Sequence, residues 1–135
     1  MIVAYSDGSG KNSNGIGAAS FLIVKNNIVV YQRTDILTGV TNNVAEYTGL
    51  LNALNYCIGE GYDDITLYSD SELVVKQLNK QYQTTNKRLA ELCTTVLTVI
   101  RERNVRVTIK WTPRTNIYIQ TADHLNRVVI AREIK

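Results

Sequence analysis

Ile2-Val3-Ala4-Tyr5-Ser6-Asp7-Gly8-Ser9-Gly10 is an apolar run that ends on a carboxylate and then breaks into glycines. Successive apolar positions occupy both faces of a strand, so burial on both sides and a central place in a sheet are expected. Such a strand delivers Asp7 to its end on a rigid support. Taken singly, an aspartate ahead of Gly8 reads as a turn former. A functional reading requires other acidic residues beside it.

Working outward, Lys11 to Asn14 is a polar turn, and Gly15 to Val24 reads as a second strand whose small first residues would admit a large ligand. Asn26-Asn27 is a good hairpin turn, and Ile28 to Asp35 is the returning strand. From Thr41 the period changes. Val44, Tyr47, Leu50, Leu51, Leu54 and Ile58 fall at helical spacing, ending near Gly59 and Gly61. Ile65 to Ser69 is a strand, followed by a short helix from Asp70 to Leu78 started by Ser69 or Asp70. Asn86 opens a longer helix through Ile100, and Val105 to Trp111 alternates as a strand. Pro113 to Ile119 is a loop, and Thr121 to Arg132 a final helix. The order β-β-β-α-β-α-α-β-α predicts an α/β fold with a five-stranded mixed sheet. An antiparallel three-strand meander is joined to two parallel strands and flanked by helices.

A chain of 135 residues is expected to form a single domain, residues 1–135, with a core of its own. No apolar run approaches the length of a membrane span, and no targeting segment is evident, so a cytoplasmic monomer away from membranes is expected. Cys57 and Cys93 lack metal-ligand spacing and read as reduced thiols. The formal charge of +3 hides an asymmetry. Up to Val75 there are three basic residues against eight acidic ones; from Lys76 onward there are twelve basic against four acidic. An acidic, cation-attracting part and a basic, polyanion-attracting part of one fold would produce this split.

Several chemistries are excluded. Gly10-Lys11 is followed by Asn12 where a phosphate-binding loop needs Ser or Thr. No Gly-x-Ser-x-Gly elbow is present, and one histidine, His124, with two distant cysteines makes no zinc site. Carboxylates remain. Asp70 follows Leu67-Tyr68-Ser69, the same Tyr-Ser-Asp ending as the first strand. Ligands of open α/β sheets bind beyond the carboxyl ends of adjacent strands. Glu46 lies on the first full turn of the helix from Thr41, and Asp123 near the start of the last helix. Each has a purely structural role available: Asn43-Val44-Ala45-Glu46 has capping-box spacing, Asp70 suits an N-cap, and Asp123 suits a helix dipole. Clustered at one sheet edge, however, they would repel unless cations lay between them. A hard divalent ion such as Mg2+ suits oxygen ligands, and a pair of such ions suits phosphodiester cleavage.

With these residues in place, the chain resembles the ribonuclease H family of the type 1 branch. The matching segments are Tyr5-Ser6-Asp7-Gly8-Ser9, Thr41-Asn42-Asn43-Val44-Ala45-Glu46-Tyr47, Leu67-Tyr68-Ser69-Asp70-Ser71, and Trp111-Thr112-Pro113-Arg114 with Ala122-Asp123-His124-Leu125. They span nearly the whole chain in the family's order. The resemblance implies a ribonuclease H-like fold and sequence-nonspecific cleavage of the RNA strand of RNA–DNA hybrids, leaving 5′-phosphate and 3′-hydroxyl ends. Duplex RNA is a further candidate substrate. It also implies that Asp7, Glu46, Asp70 and Asp123 hold two Mg2+ or Mn2+ ions and are the catalytic residues. Thr41 matches a contact to a DNA phosphate, and Asn42 and Asn43 contacts to the minor groove and sugar 2′-hydroxyls. Gly8, Ser9 and Gly15, with Ser71, Asn86 and Arg114, complete the implied nucleic-acid contacts. Recognition by shape and 2′-hydroxyls fits a sequence-nonspecific enzyme, and the basic half fits phosphate contacts.

The chain departs from the family's common pattern in three places. Asn79 to Lys87 leaves no room for the extra helix and basic handle of many members. Thr112 to Ala122 contains no histidine, and Arg114 stands near that place instead, as in a handle-less, archaeal-like subgroup. Ile119 stands four residues before Asp123, where the family favours asparagine. A catalytically weak or inactive nucleic-acid-binding module of the same fold is the alternative.

Overall fold

The computed structural model describes residues 1–133. In chain order they form β1 (Ile2–Ser9), β2 (Ile16–Lys25), β3 (Ile28–Thr38), α1 (Asn42–Gly59) and β4 (Asp64–Ser69), then α2 (Glu72–Leu78), α3 (Lys87–Arg103), β5 (Arg106–Trp111) and α4 (Ile117–Glu133). The strands make one sheet in the order β3-β2-β1-β4-β5. β1 pairs antiparallel with β2 and parallel with β4, β2 pairs antiparallel with β3, and β4 pairs parallel with β5. The expected meander and parallel pair are both present.

The β2–β3 hairpin turns on Asn26 and Asn27, at φ 53° and 63°. Positive φ at both central residues gives a turn whose twist matches the strands, and asparagine tolerates that conformation better than most residues. α1 stops where expected, since Gly61 at φ 83° supplies the left-handed residue after the Glu60 cap.

One face of the sheet is covered by α1, α2 and α3, and α4 covers the other over β1, β2 and part of β3, leaving Arg106, Thr108 and Lys110 of β5 exposed. Ile2, Ala4, Phe21, Ile23, Ile65, Leu67 and Ile109 belong to a core cluster with Leu50, Leu54, Val74 and Val96 from α1, α2 and α3. Side chains alternate along a strand, so Tyr5, Asp7 and Ser20 face the other way. There Tyr118 of α4 packs against Tyr5, and Asn126 of α4 meets Ser20 and Asp7. β2 is therefore the strand buried on both faces, from Gly17 to Val24. β1 is central in position, but its burial alternates, with Val3 and Tyr5 only partly covered. That corrects the expectation of a doubly buried first strand.

Two helix starts differ from the sequence reading, and the capping box on Asn43 is not used although α1 starts at Thr41 as expected. The cap of α1 is Thr41, whose Oγ1 accepts from the Val44 N–H, rather than a capping box on Asn43. The cap of α2 is Ser71, not Ser69 or Asp70. α4 begins at Ile117 instead of Thr121, because Asn116 Oδ1 accepts from the N–H groups of Tyr118 and Ile119 and starts the helix early. Residues 79–86 join α2 to α3 without a helix, as the short spacing predicted.

Candidate active site

The parallel ladder between β1 and β4 ends at Ser6 opposite Ser69. The next residues, Asp7 and Asp70, lie at equivalent positions just past that ladder. Their settings differ. β1 runs on to Ser9, and Asp7 stays in register with Ser20 of β2, so this carboxylate sits within a strand and not at its end. Asp70 has left the ladder. Trp111 Nε1 donates to its carbonyl at 3.2 Å, and Ser71 caps α2 immediately after it. With the cap role taken by Ser71, the Asp70 side chain is free for other use. Its Oδ1 is buried without a hydrogen-bond partner.

Glu46 enters from α1. Its Oε1 accepts from the Gly8 N–H at 2.6 Å, tying the helix to the strand that carries Asp7. This approach needs glycine, since a Cβ at position 8 would sit on the Ala45 carbonyl group. Gly10 N–H likewise donates to Asn42 Oδ1 at 2.7 Å. Asp7, Glu46 and Asp70 thereby offer carboxylate oxygens all within 4.8 Å of one another. The electrostatic consequence is large. Asp7 is pushed up to about 8, first by burial and then by the charges of Asp70 and Asp123, against hydrogen bonds from Asn126 and Gly8. Glu46 is pushed up to about 9 by burial and the charges of Asp7 and Asp70. Converging carboxylates with these values lack a positive partner.

Asp123 stands apart from that trio. It lies on the second turn of α4, its side chain is 41% exposed, and Arg127 Nε pairs with its Oδ2 at 3.0 Å. It still lines the same cleft and contributes to the repulsion on Asp7. Of the residues expected to contact nucleic acid, Gly8, Ser9, Asn42, Asn43, Ser71 and Arg114 line this cleft. Gly15, Thr41 and Asn86 do not. Gly15 is a turn residue at φ 78°, while Thr41 and Asn86 use their side chains as helix caps. His124 points to solvent.

The structure also adds residues to those expected to form the site. Thr115, Ile119, Gln120 and Arg127 line the cleft, and buried Asn126 touches Asp7 from behind. Starting α4 at Asn116 would have shown Ile119, Asp123 and Arg127 stacked at four-residue spacing. Nothing local marks Asn126. The acidic half of the chain thus supplies the carboxylate trio, and the basic half supplies Arg114 and Arg127 to the same cleft.

Among known proteins, the profile of the reverse transcriptase-like family matches residues 5–127. A curated relative, the ribonuclease HI of Halobacterium salinarum, is 37% identical over 87 residues, covering 64% of this chain and 44% of that protein. A bifunctional protein of Mycobacterium tuberculosis is 24% identical over 115 residues, covering 84% of this chain and 31% of that protein. The chain spans less than half the length of these curated relatives. Among solved structures, ribonuclease H1 from the halophilic archaeon Halobacterium salinarum superposes with a TM-score of 0.84 at 30% identity, covering 93% of this chain and 94% of that one. LC11-RNase H1, solved in complex with RNA/DNA hybrid, superposes with a TM-score of 0.90 at 24% identity and covers both chains completely, a likeness of fold. With the family profile covering nearly the whole chain, this protein belongs to the reverse transcriptase-like family, among its ribonucleases H of type 1.

Proposed function

We propose that this protein hydrolyses the RNA strand of RNA–DNA hybrids without base specificity, leaving 5′-phosphate and 3′-hydroxyl ends. The observation that carries the reading is the trio of Asp7, Glu46 and Asp70, with oxygens within 4.8 Å of one another in a cleft lined mainly by polar groups. The donor set fits a hard divalent cation. It is all oxygen, it concentrates negative charge, and Asp70 Oδ1 is buried with no protein donor. Asp7, Glu46 and Asp70 would hold the ions, with Asp123 joining from α4. Bound there, two Mg2+ or Mn2+ ions would supply Lewis acidity for the attacking water and the departing 3′ oxygen.

The chain's own residues do the rest. Gly8 and Ser9 present backbone without bulk beside the carboxylates, so a sugar-phosphate chain can approach closely. Asn42 and Asn43, at the first turn of α1, offer amides suited to 2′-hydroxyls and minor-groove acceptors. Arg114 is exposed at the same cleft and suits a phosphate.

Incubation with labelled RNA–DNA hybrid, duplex DNA and duplex RNA, in Mg2+ or Mn2+, tests the reading. Cleavage of the hybrid's RNA strand into 5′-phosphorylated fragments is expected. Binding of hybrid with no cleavage of any substrate under either metal would identify a binding module instead. One feature favours that second reading: Asp123 is already paired with Arg127.

A further inference from the structure

Asn126 is wholly buried on the sheet-facing side of α4, aligned with the apolar residues Ile119 and Ala122. An aliphatic residue would suit that face and would bury no amide, so asparagine here implies a partner. Two acceptors lie on one side of its amide: the Asp7 carbonyl at 3.4 Å and Asp7 Oδ2 at 3.3 Å. Only the NH2 group can serve both, so Oδ1 must point the other way. There Ser20 Oγ donates to it at 2.6 Å. Ser20 has a single proton to give, so Thr34 Oγ1, 2.7 Å away, must donate to Ser20. A directed chain therefore runs from Thr34 on β3 through Ser20 on β2 and Asn126 on α4 to Asp7 on β1. Each member leaves its neighbour unsatisfied if removed, which makes the chain rigid.

We infer that Asn126, oriented by Ser20 and Thr34, is the positioning residue of Asp7, and that it sets how strongly the site holds a divalent cation. By donating to Oδ2 it fixes the orientation of the carboxylate within the cleft. Partners behind a ligand commonly change metal affinity by about 10–100-fold when removed. This inference rests on the reading of Asp7 as a metal-holding carboxylate.

The test is calorimetric titration of the folded protein with Mn2+ alone, without nucleic acid, alongside thermal unfolding and the Mn2+ dependence of hybrid cleavage. Asn126→Ala is expected to weaken Mn2+ binding about tenfold and to raise the Mn2+ needed for half-maximal cleavage in parallel. Ser20→Ala, which keeps the donor but frees the amide to turn, is expected to produce a smaller shift in the same direction. Asp7→Asn is expected to abolish binding. A folded Asn126→Ala protein with the unaltered Mn2+ isotherm overturns the inference while leaving the proposed function standing. If Asn126→Ala does not fold, an unaltered isotherm in Ser20→Ala overturns it equally. Retained Mn2+ binding and cleavage in Asp7→Asn would overturn the proposed site itself, and the inference with it.

Discussion

Asp7 is carried by the middle strand of the sheet and is almost wholly buried, whereas Asp123, across the same cleft, rides on a helix with its side chain 41% exposed and paired with Arg127. Burial and neighbouring charge push Asp7 up to about 8 and Glu46 to about 9, and no basic side chain among the described residues relieves either of them. Asp123 has a cationic partner one helical turn away. The difference is one of mounting. A carboxylate fixed by a strand, a glycine contact and a buried amide cannot swing away from its neighbours, so it must be neutralised from outside the protein. A carboxylate on an exposed helix can find a cation on its own helix. Under the proposed function, the trio would hold a metal in place, and Asp123, on its exposed helix, would join it only on leaving Arg127.

The largest effect that would sharpen this contrast is Asp70→Asn. It removes the charge of the carboxylate whose Oδ1 is buried without a partner, and cleavage should fall by more than about 100-fold while the melting temperature holds or rises. Substantial cleavage by the folded variant would show that the trio is misassigned.

Next comes the pH dependence of the metal-free protein. Asp7 and Glu46, raised to about 8 and about 9, bind protons more tightly when folded than when unfolded, where carboxyls titrate near 4. The native state is then the stronger proton binder between about pH 4 and pH 9, so stability falls as pH rises through that window. Added Mg2+ should recover the loss, and increasingly so towards alkaline pH. Thermal unfolding with and without Mg2+ across the window measures both trends. A metal-free profile that is level over the whole range would mean the trio is not under electrostatic strain.

The smallest effects belong to the α4 side. Asp123→Asn should lower cleavage about tenfold through weaker metal holding, far less than Asp70→Asn. Arg127→Ala removes an exposed pair, so stability should change by under about 1 kcal/mol, and the metal needed for half-maximal cleavage should fall as Asp123 is released. Equal losses in Asp123→Asn and Asp70→Asn would erase the distinction between the two mounts.

Much of this was legible in the chain because it is written in local patterns. The repeated Tyr-Ser-Asp at the ends of two apolar runs, the Asn26-Asn27 turn and the helical spacing after Thr41 all depend on neighbours in sequence. The boundaries that differed were decided by competition between adjacent polar residues. Ser69, Asp70 and Ser71 can all cap a helix, and Thr41 and Asn43 compete in the same way. Packing chose Ser71 and Thr41, which left Asp70 and Asn43 facing the cleft. Asn116 was hidden for a related reason: the β-branched and aromatic run Ile117-Tyr118-Ile119 has weak helix propensity, and its helix is held by packing on the sheet.

By itself the sequence determined the order of strands and helices, the identity of the carboxylates, and the family that the chain resembles, since these follow from residue type and short-range period. Only the tertiary structure decided which carboxylates meet. Asp7 and Asp70 are 63 residues apart in the chain and become neighbours because β1 and β4 pair in parallel, ending together at Ser6 and Ser69. Asn126, more distant still, reaches Asp7 because α4 crosses the far face of the sheet. Whether an acidic residue is buried against its like or paired with an arginine depends on long-range packing, and no local pattern encodes it.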